Sequence, residues 1–354
     1  SYLYLEAAVL VGNQDPRGEE WLRKALSSEP GNDAAFSQLR IIVEEKKDLV
    51  DLAELIRVRQ QSSVGREDSD LLRFERASLL GRIGDRAGAK AELRTVLLRD
   101  PQNVRALREL VELEYQDGAF SIAAEMYLRL ARVEEDPKQQ AQIFRRLGRI
   151  YHRRLSDPKL AAGAFERVLK LEPNDLDALV GLSDIYSKQN DLQRAVAATE
   201  RAVEREPEDK RRLGLLLRLA GLYEKNSETR KAGLLFRRAH EQAPRSLQAI
   251  GELARYLERH KDTQGRRVLL DTSLSRLHED LRRFPGDLSA LRVIVPVLRW
   301  CSRAAGSAAS AQLLAALSDD PVERRELQSW STAPSKGRRL SPLLNPEVDE
   351  MAYP

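Results

Sequence analysis

The chain has 354 residues, 32% of them charged and only 5% aromatic, with 59 Lys and Arg against 55 Asp and Glu. A net charge of +4 left over from two large, interspersed populations fits long solvent-laced helices, and it disfavours nucleic acid as the partner despite an isoelectric point near 9.1. The single cysteine, Cys301, excludes an internal disulfide and a cysteine-rich metal site, and no apolar run approaches the roughly 18 to 20 residues of a membrane helix.

Along the chain, apolar and small residues return in a fixed order. Segment 1–32 carries Leu5, Val9, Leu22, Ala25 and Pro30, and segment 33–66 carries Phe36, Leu39, Val43, Leu52 and Ile56. Segment 70–103 continues with Ala77, Leu80, Ala89, Leu93, Val96 and Pro101, and 104–137 with Leu107, Leu110, Ala123, Tyr127 and Leu130. Segment 141–175 has Leu147, Gly148, Tyr151, Ala161, Phe165 and Val168, with one extra residue absorbed by the turn LSDPK. The clearest units follow. In 176–209 the set is Leu179, Leu182, Ser183, Tyr186, Ala195, Thr199, Ala202 and Pro207, and in 213–246 it is Leu216, Leu219, Ala220, Tyr223, Ala232, Phe236, Ala239 and Pro244.

Segment 247–284 keeps Leu253, Ala254, Leu257 and Leu270, but Arg266 stands where the others have a small residue, which predicts a distorted unit. A pair at 288–301 and 307–318 is apolar on a helical period and reads as a cap, with a kink expected at Pro296. Residues 319–354 hold five of the fifteen prolines and are expected to form an extended tail or linker.

This order resembles the 34-residue tetratricopeptide repeat. The resemblance implies an all-α fold, a right-handed α-α superhelix of about nine helix pairs followed by the extended tail. Each pair cannot bury its apolar face alone, so neighbours share one core. The first helix of each unit would line a concave groove through repeat positions 2, 5, 9, 12 and 13, which follow the 3.6-residue period away from the core positions.

Carried onto the chain, those positions select Arg108, Glu112 and Tyr115, then Arg145, Arg149, His152 and Arg153, then Asp184, Lys188 and Leu217 as partner-binding residues. Arg145, Arg149 and Arg153 sit four apart, a self-repelling row. One reading is a clamp for an acidic peptide or a C-terminal carboxylate, which guanidinium forks bind in bidentate fashion. The other is a solvated face neutralised by neighbouring acids such as Glu112 and Asp184. The Lys and Asn set with which some family members grip a chaperone tail is not reproduced, since position 9 holds Ile41, Ser78, Glu112, Arg149 and Asp184. Most aromatics read as core plugs, with Phe74 and Tyr115 as exceptions aimed at the groove.

No catalytic, metal or cofactor motif emerges. The four histidines lack metal-ligand spacing, and the glycine-rich phrase at 81–88 falls on a turn between helices. The reading is therefore a non-enzymatic scaffold that binds another protein or peptide, of the kind found in bacterial motility, secretion or polarity assemblies, and expected to be monomeric and cytoplasmic. The missing initiator Met leaves an upstream targeting segment, and so a periplasmic or exported location, open. An RNA-binding array and a non-catalytic part of a larger enzyme are the alternatives.

Overall fold

In a computed structural model, residues 1–11, 15–62, 66–301 and 303–332 are described. They form nineteen helices and, among the described residues, no strand. The chain divides into two compact units, residues 1–181 and residues 182–354.

The first unit begins with the pairs α1 (Tyr2–Val11) with α2 (Pro16–Ser28), and α3 (Asp33–Lys46) with α4 (Leu49–Ser62). It continues with α5 (Arg66–Ile83) and α6 (Arg86–Arg99), α7 (Val104–Gln116) and α8 (Phe120–Val133), and α9 (Pro137–Arg153) and α10 (Pro158–Leu171). After α11 (Leu176–Lys188), the second unit holds α12 (Leu192–Arg205), the pairs α13 (Asp209–Lys225) with α14 (Thr229–Gln242) and α15 (Leu247–Arg259) with α16 (Thr263–Arg283), and α17 (Leu288–Trp300), α18 (Ala304–Leu317) and α19 (Pro321–Thr332).

Local chemistry sets where these helices start. Asp15, Asp85, Asp157, Asp191 and Asp262 each accept an amide hydrogen bond at a second-helix N-terminus, and Pro16 and Pro158 occupy first-turn positions that need no donor. Just ahead of α4, α6, α8, α10, α12, α14 and α16 the backbone turns through the left-handed region, at Lys47, Gly84, Gly118, Ser156, Asn190, Ser227 and Lys261 in turn. The phrase at 81–88 is one such turn. Gly84 takes φ +97°, and the Gly88 amide donates to Asp85.

The small residues do what the spacing demands. Ala89, Ala123, Ala161, Ala195 and Ala232 are completely buried, so helices approach closely while Tyr127, Phe165 and Phe236 fill the space between. Where 176–209 has Thr199 in place of an aromatic, a buried hydroxyl pair takes over. Thr199 donates to the Ala195 carbonyl at 2.7 Å, which leaves Ser183 to donate to Thr199 at 2.6 Å.

One expectation needs correction. Residues 321–332, expected to be extended, form α19, which packs on α18; residues 333–354 of the expected tail lie outside the described residues. The cause is visible in the sequence as a first-turn proline followed by Glu323, whose carboxylate accepts from Arg292 at 2.7 and 2.8 Å. At Pro296, α17 runs on from Leu288 to Trp300, with the proline buried inside it. Around Arg266 the irregularity takes the form of a longer second helix, 21 residues in α16 against 14 in α14. The Arg266 guanidinium reaches the Trp300 carbonyl at 3.5 Å and leaves its Nε buried with no hydrogen-bond partner among the described residues.

Candidate functional site

The selected residues do not form one open basic groove. Arg145 donates to Asp175 at 2.5 Å and to Glu172 at 2.9 Å, and Arg149 pairs with Asp177. Asp175 and Asp177 belong to the start of α11, so two members of the row tie α9 to the next repeat. Their acids are not the Glu112 and Asp184 expected. Glu112 faces the neighbouring Arg146 and accepts from the Tyr127 hydroxyl at 3.1 Å. Asp184 accepts from Lys188 at 2.8 Å and Arg218 at 3.2 Å.

Arg108 pairs with Glu134, His152 is half-buried, and Arg153 is exposed at the end of α9. Tyr115 is 39% exposed and stands edge-on to Phe120, with ring centroids 5.4 Å apart. Leu217 is a core residue, 5% exposed, and offers a partner nothing. It lies beside Leu215, Leu216 and Leu219 in a helix buried over more of its circumference than the period suggested. Tyr127 joins the Glu112 network, since its hydroxyl also accepts from Arg146 at 2.8 Å. Burial, with a smaller contribution from Tyr115, pushes its pKa up to about 12, so the hydroxyl keeps its proton for Glu112.

A cavity lies nearer the N-terminus, in the first unit. The end of α3, the α3–α4 turn, α5 and Arg105 of α7 enclose a cleft of about 860 Å³. Its walls include Leu49, Leu71, Leu72 and Phe74, and Leu71 remains 59% exposed. Phe74 lines the cleft but offers little free surface. It is 5% exposed, with the Arg105 guanidinium 4.2 Å above its ring, a cation-π contact.

Charge around the cleft is unevenly committed. Arg40 holds two of the three acids of the lining, donating to Glu44 at 2.7 Å and Glu75 at 2.6 Å, while the third, Asp48, accepts from the Val50 and Asp51 amides at 3.0 Å. Arg105 pairs with Glu109 at 2.9 Å. Lys47, in left-handed backbone at the end of α3, and Arg82 near the end of α5 are exposed and form no ion pair among the described residues. The cleft thus joins an apolar wall to two uncommitted cations. Its lining falls on the same repeat positions that selected the central residues, Leu71, Phe74, Ser78 and Arg82 being positions 2, 5, 9 and 13 of segment 70–103. The available signal is that positions 2 and 5 are apolar there, Leu71 and Phe74, where segment 104–137 has Arg105 and Arg108.

Among the described residues, no group of His, Cys, Asp and Glu could hold a metal ion, and no helix is long and apolar enough to cross a membrane.

Repeated helix pairs with small-residue contacts and a lined cleft define a helical-repeat protein with a surface suited to binding. The chain carries tetratricopeptide repeats: residues 74–140 and residues 153–220 each match the tetratricopeptide repeat family. Among solved structures, Naa15/Naa10 bound to HypK-THB is similar with a TM-score of 0.54 at 14% identity, over 93% of this chain and 51% of that one, so this chain spans about half its length. The C-terminal part of a TPR repeat-containing protein from Cytophaga hutchinsonii is similar at TM-score 0.47 and 18% identity, over 70% and 99% of the two chains. YrrB, described as a TPR protein with an unusual peptide-binding site, gives TM-score 0.42 and 18% identity, over 52% and 92%. No curated protein matches the sequence.

Proposed function

We propose that the chain is a scaffold that holds a segment of a partner protein in the cleft between α3, α5 and α7. An apolar side chain of the partner packs on Leu71 and Leu72, and a neighbouring carboxylate, from Asp, Glu or a chain terminus, meets Lys47 and Arg82. The observation that carries this reading is the pairing of an 860 Å³ apolar-walled cleft with two cations that have no ion pair among the described residues. It keeps the acidic or carboxylate-ended partner read from the sequence and moves the site away from Arg145 and Arg149, whose guanidiniums are occupied. Arg153 and Tyr115 stay available as secondary contacts, whereas Arg108 is held by Glu134.

The proposal requires no chemistry by this chain. It places the protein as a monomer in a bacterial multiprotein assembly of motility, secretion or polarity type, on the strength of its repeat organisation and its Arg-, Ala- and Leu-rich composition. Selection from a displayed random peptide library tests the site. The enriched sequences should carry an aliphatic or aromatic residue close to an acid or to a free C-terminus, and Leu71→Asp should lose them. Enrichment that survives Leu71→Asp, or that shows no acid preference, rejects this cleft as the binding site.

A further inference from the structure

The exposed side of α14 and α16 carries charge that the cleft does not use. These two helices hold nine Arg and Lys against four Asp and Glu, a local excess larger than the +4 of the entire chain. Two contacts fix how they lie. Arg245, just past α14, donates to Asp280 of α16 at 2.5 Å, and Arg276 of α16 is close enough to His240 of α14 to oppose its protonation, an effect second to burial. Both contacts join residues about one repeat apart in the same order, so the helices run parallel, and Leu234 and Val268 come to the same level.

Leu234 is 66% exposed and Val268 is 50% exposed. Arg230, Arg237 and Arg238 stand within one turn of Leu234 on α14, and Arg276 stands two turns beyond Val268 on α16, all exposed and without an ion pair among the described residues. Lys231 and Arg267, by contrast, face Glu228 at 2.6 Å and Asp271 at 3.7 Å. Two aliphatic side chains thus project from a field of uncommitted guanidiniums, a combination that complements a surface both anionic and apolar just beneath.

Nucleic acid fits less well. Recognition of unpaired bases uses aromatic platforms, and the only Phe, Tyr or Trp on these helices, Phe236, is 1% exposed. A fluid bilayer requires no such platform. It is held by the attraction of Lys and Arg to anionic headgroups, together with shallow entry of apolar side chains.

We propose that this face docks on a membrane surface rich in anionic lipid. Leu234 and Val268 enter the boundary between headgroups and acyl chains, and Arg230, Arg237, Arg238 and Arg276 meet lipid phosphates and carboxylates. The inference is independent of the cleft, and Leu71→Asp is expected to leave it unchanged.

Sedimentation of the full chain with vesicles tests it, using phosphatidylcholine alone and phosphatidylcholine with about one third phosphatidylserine. Binding is expected only to the anionic vesicles and should weaken as salt screens the field. Each arginine lost should weaken it about fivefold, so Arg237→Glu with Arg238→Glu should reduce it well over tenfold, while Arg237→Lys with Arg238→Lys retains it. Leu234→Asp should also release the chain, and the added emission of Leu234→Trp should be quenched by lipid brominated near the headgroup end of its acyl chains. Melting curves of these surface variants should match the parent. Equal sedimentation with neutral vesicles, or undiminished binding by the double Glu variant, overturns the proposal. So does binding of polyuridylate through the same arginines with no vesicle binding, which would assign the face to nucleic acid.

Discussion

A Cβ on Gly148 would fall 2.6 Å from Cε1 of Phe165, so α9 and the buried ring of α10 meet at a distance only glycine permits. On the other edge of the ring, a Cβ on Gly181 would lie 2.6 Å from Cε2. Alanine at position 148 gains about 1 kcal/mol of helix propensity, but overpacking in a core costs about 1–3 kcal/mol, so packing decides the sign. Gly148→Ala is expected to lower stability in urea denaturation. Phe165→Leu should recover most of that loss in the Gly148→Ala background while costing stability by itself, and the absence of such rescue would show that the ring is not the obstacle.

The arginine row separates into structural and surface members. Arg145 and Asp175 are 21% and 9% exposed at their side chains, so truncating Arg145 leaves a poorly hydrated carboxylate. Arg145→Ser should cost about 1–3 kcal/mol, whereas Arg153→Ser at an exposed position should stay within about 0.5 kcal/mol. Asp175 also accepts from the Ala178 amide at 2.7 Å, so a double-mutant cycle is needed to isolate the ion pair. Thermal melts of the four chains measure it.

At the cleft, the expected pattern is loss of binding without loss of fold. Leu71 already contacts water over most of its surface, so Leu71→Asp should leave the melting temperature nearly unchanged and weaken a selected peptide about tenfold or more. Arg82→Ala and Lys47→Ala should weaken acidic peptides in particular, and the difference from the parent should shrink in high salt. Calorimetric titration at two salt concentrations distinguishes these effects.

The attachment of α19 should depend on acid. Hydrogen bonds from Arg292, then Ser318, hold the Glu323 carboxyl at about 2, below its ordinary 4.5. A carboxyl depressed in the folded state contributes stability that is present above its ordinary value and lost as pH falls through the folded one, so the window runs from about pH 4.5 down to about 2. Arg292 is 50% exposed, and solvent screening limits the contribution to about 1 kcal/mol. Amide hydrogen exchange in α19 should therefore accelerate in that window, and Arg292→Ala should exchange faster at neutral pH with a flatter acid response.

The one-dimensional pattern determined the helix pairs, their turns and their small-residue contacts, because capping carboxylates, first-turn prolines and the 3.6-residue period act within a few residues of chain. It also determined the type of position that lines the cleft, since Leu71, Phe74 and Arg82 fall on repeat positions 2, 5 and 13. Only tertiary structure decided which of those positions are open to a partner. Arg145 and Arg149 reach carboxylates about thirty residues away, Leu217 is covered by neighbouring helices, and Lys47 and Arg82 form no ion pair among the described residues. Periodicity states which way a side chain points. Whether its charge is already neutralised depends on residues that become neighbours only when one repeat packs on the next.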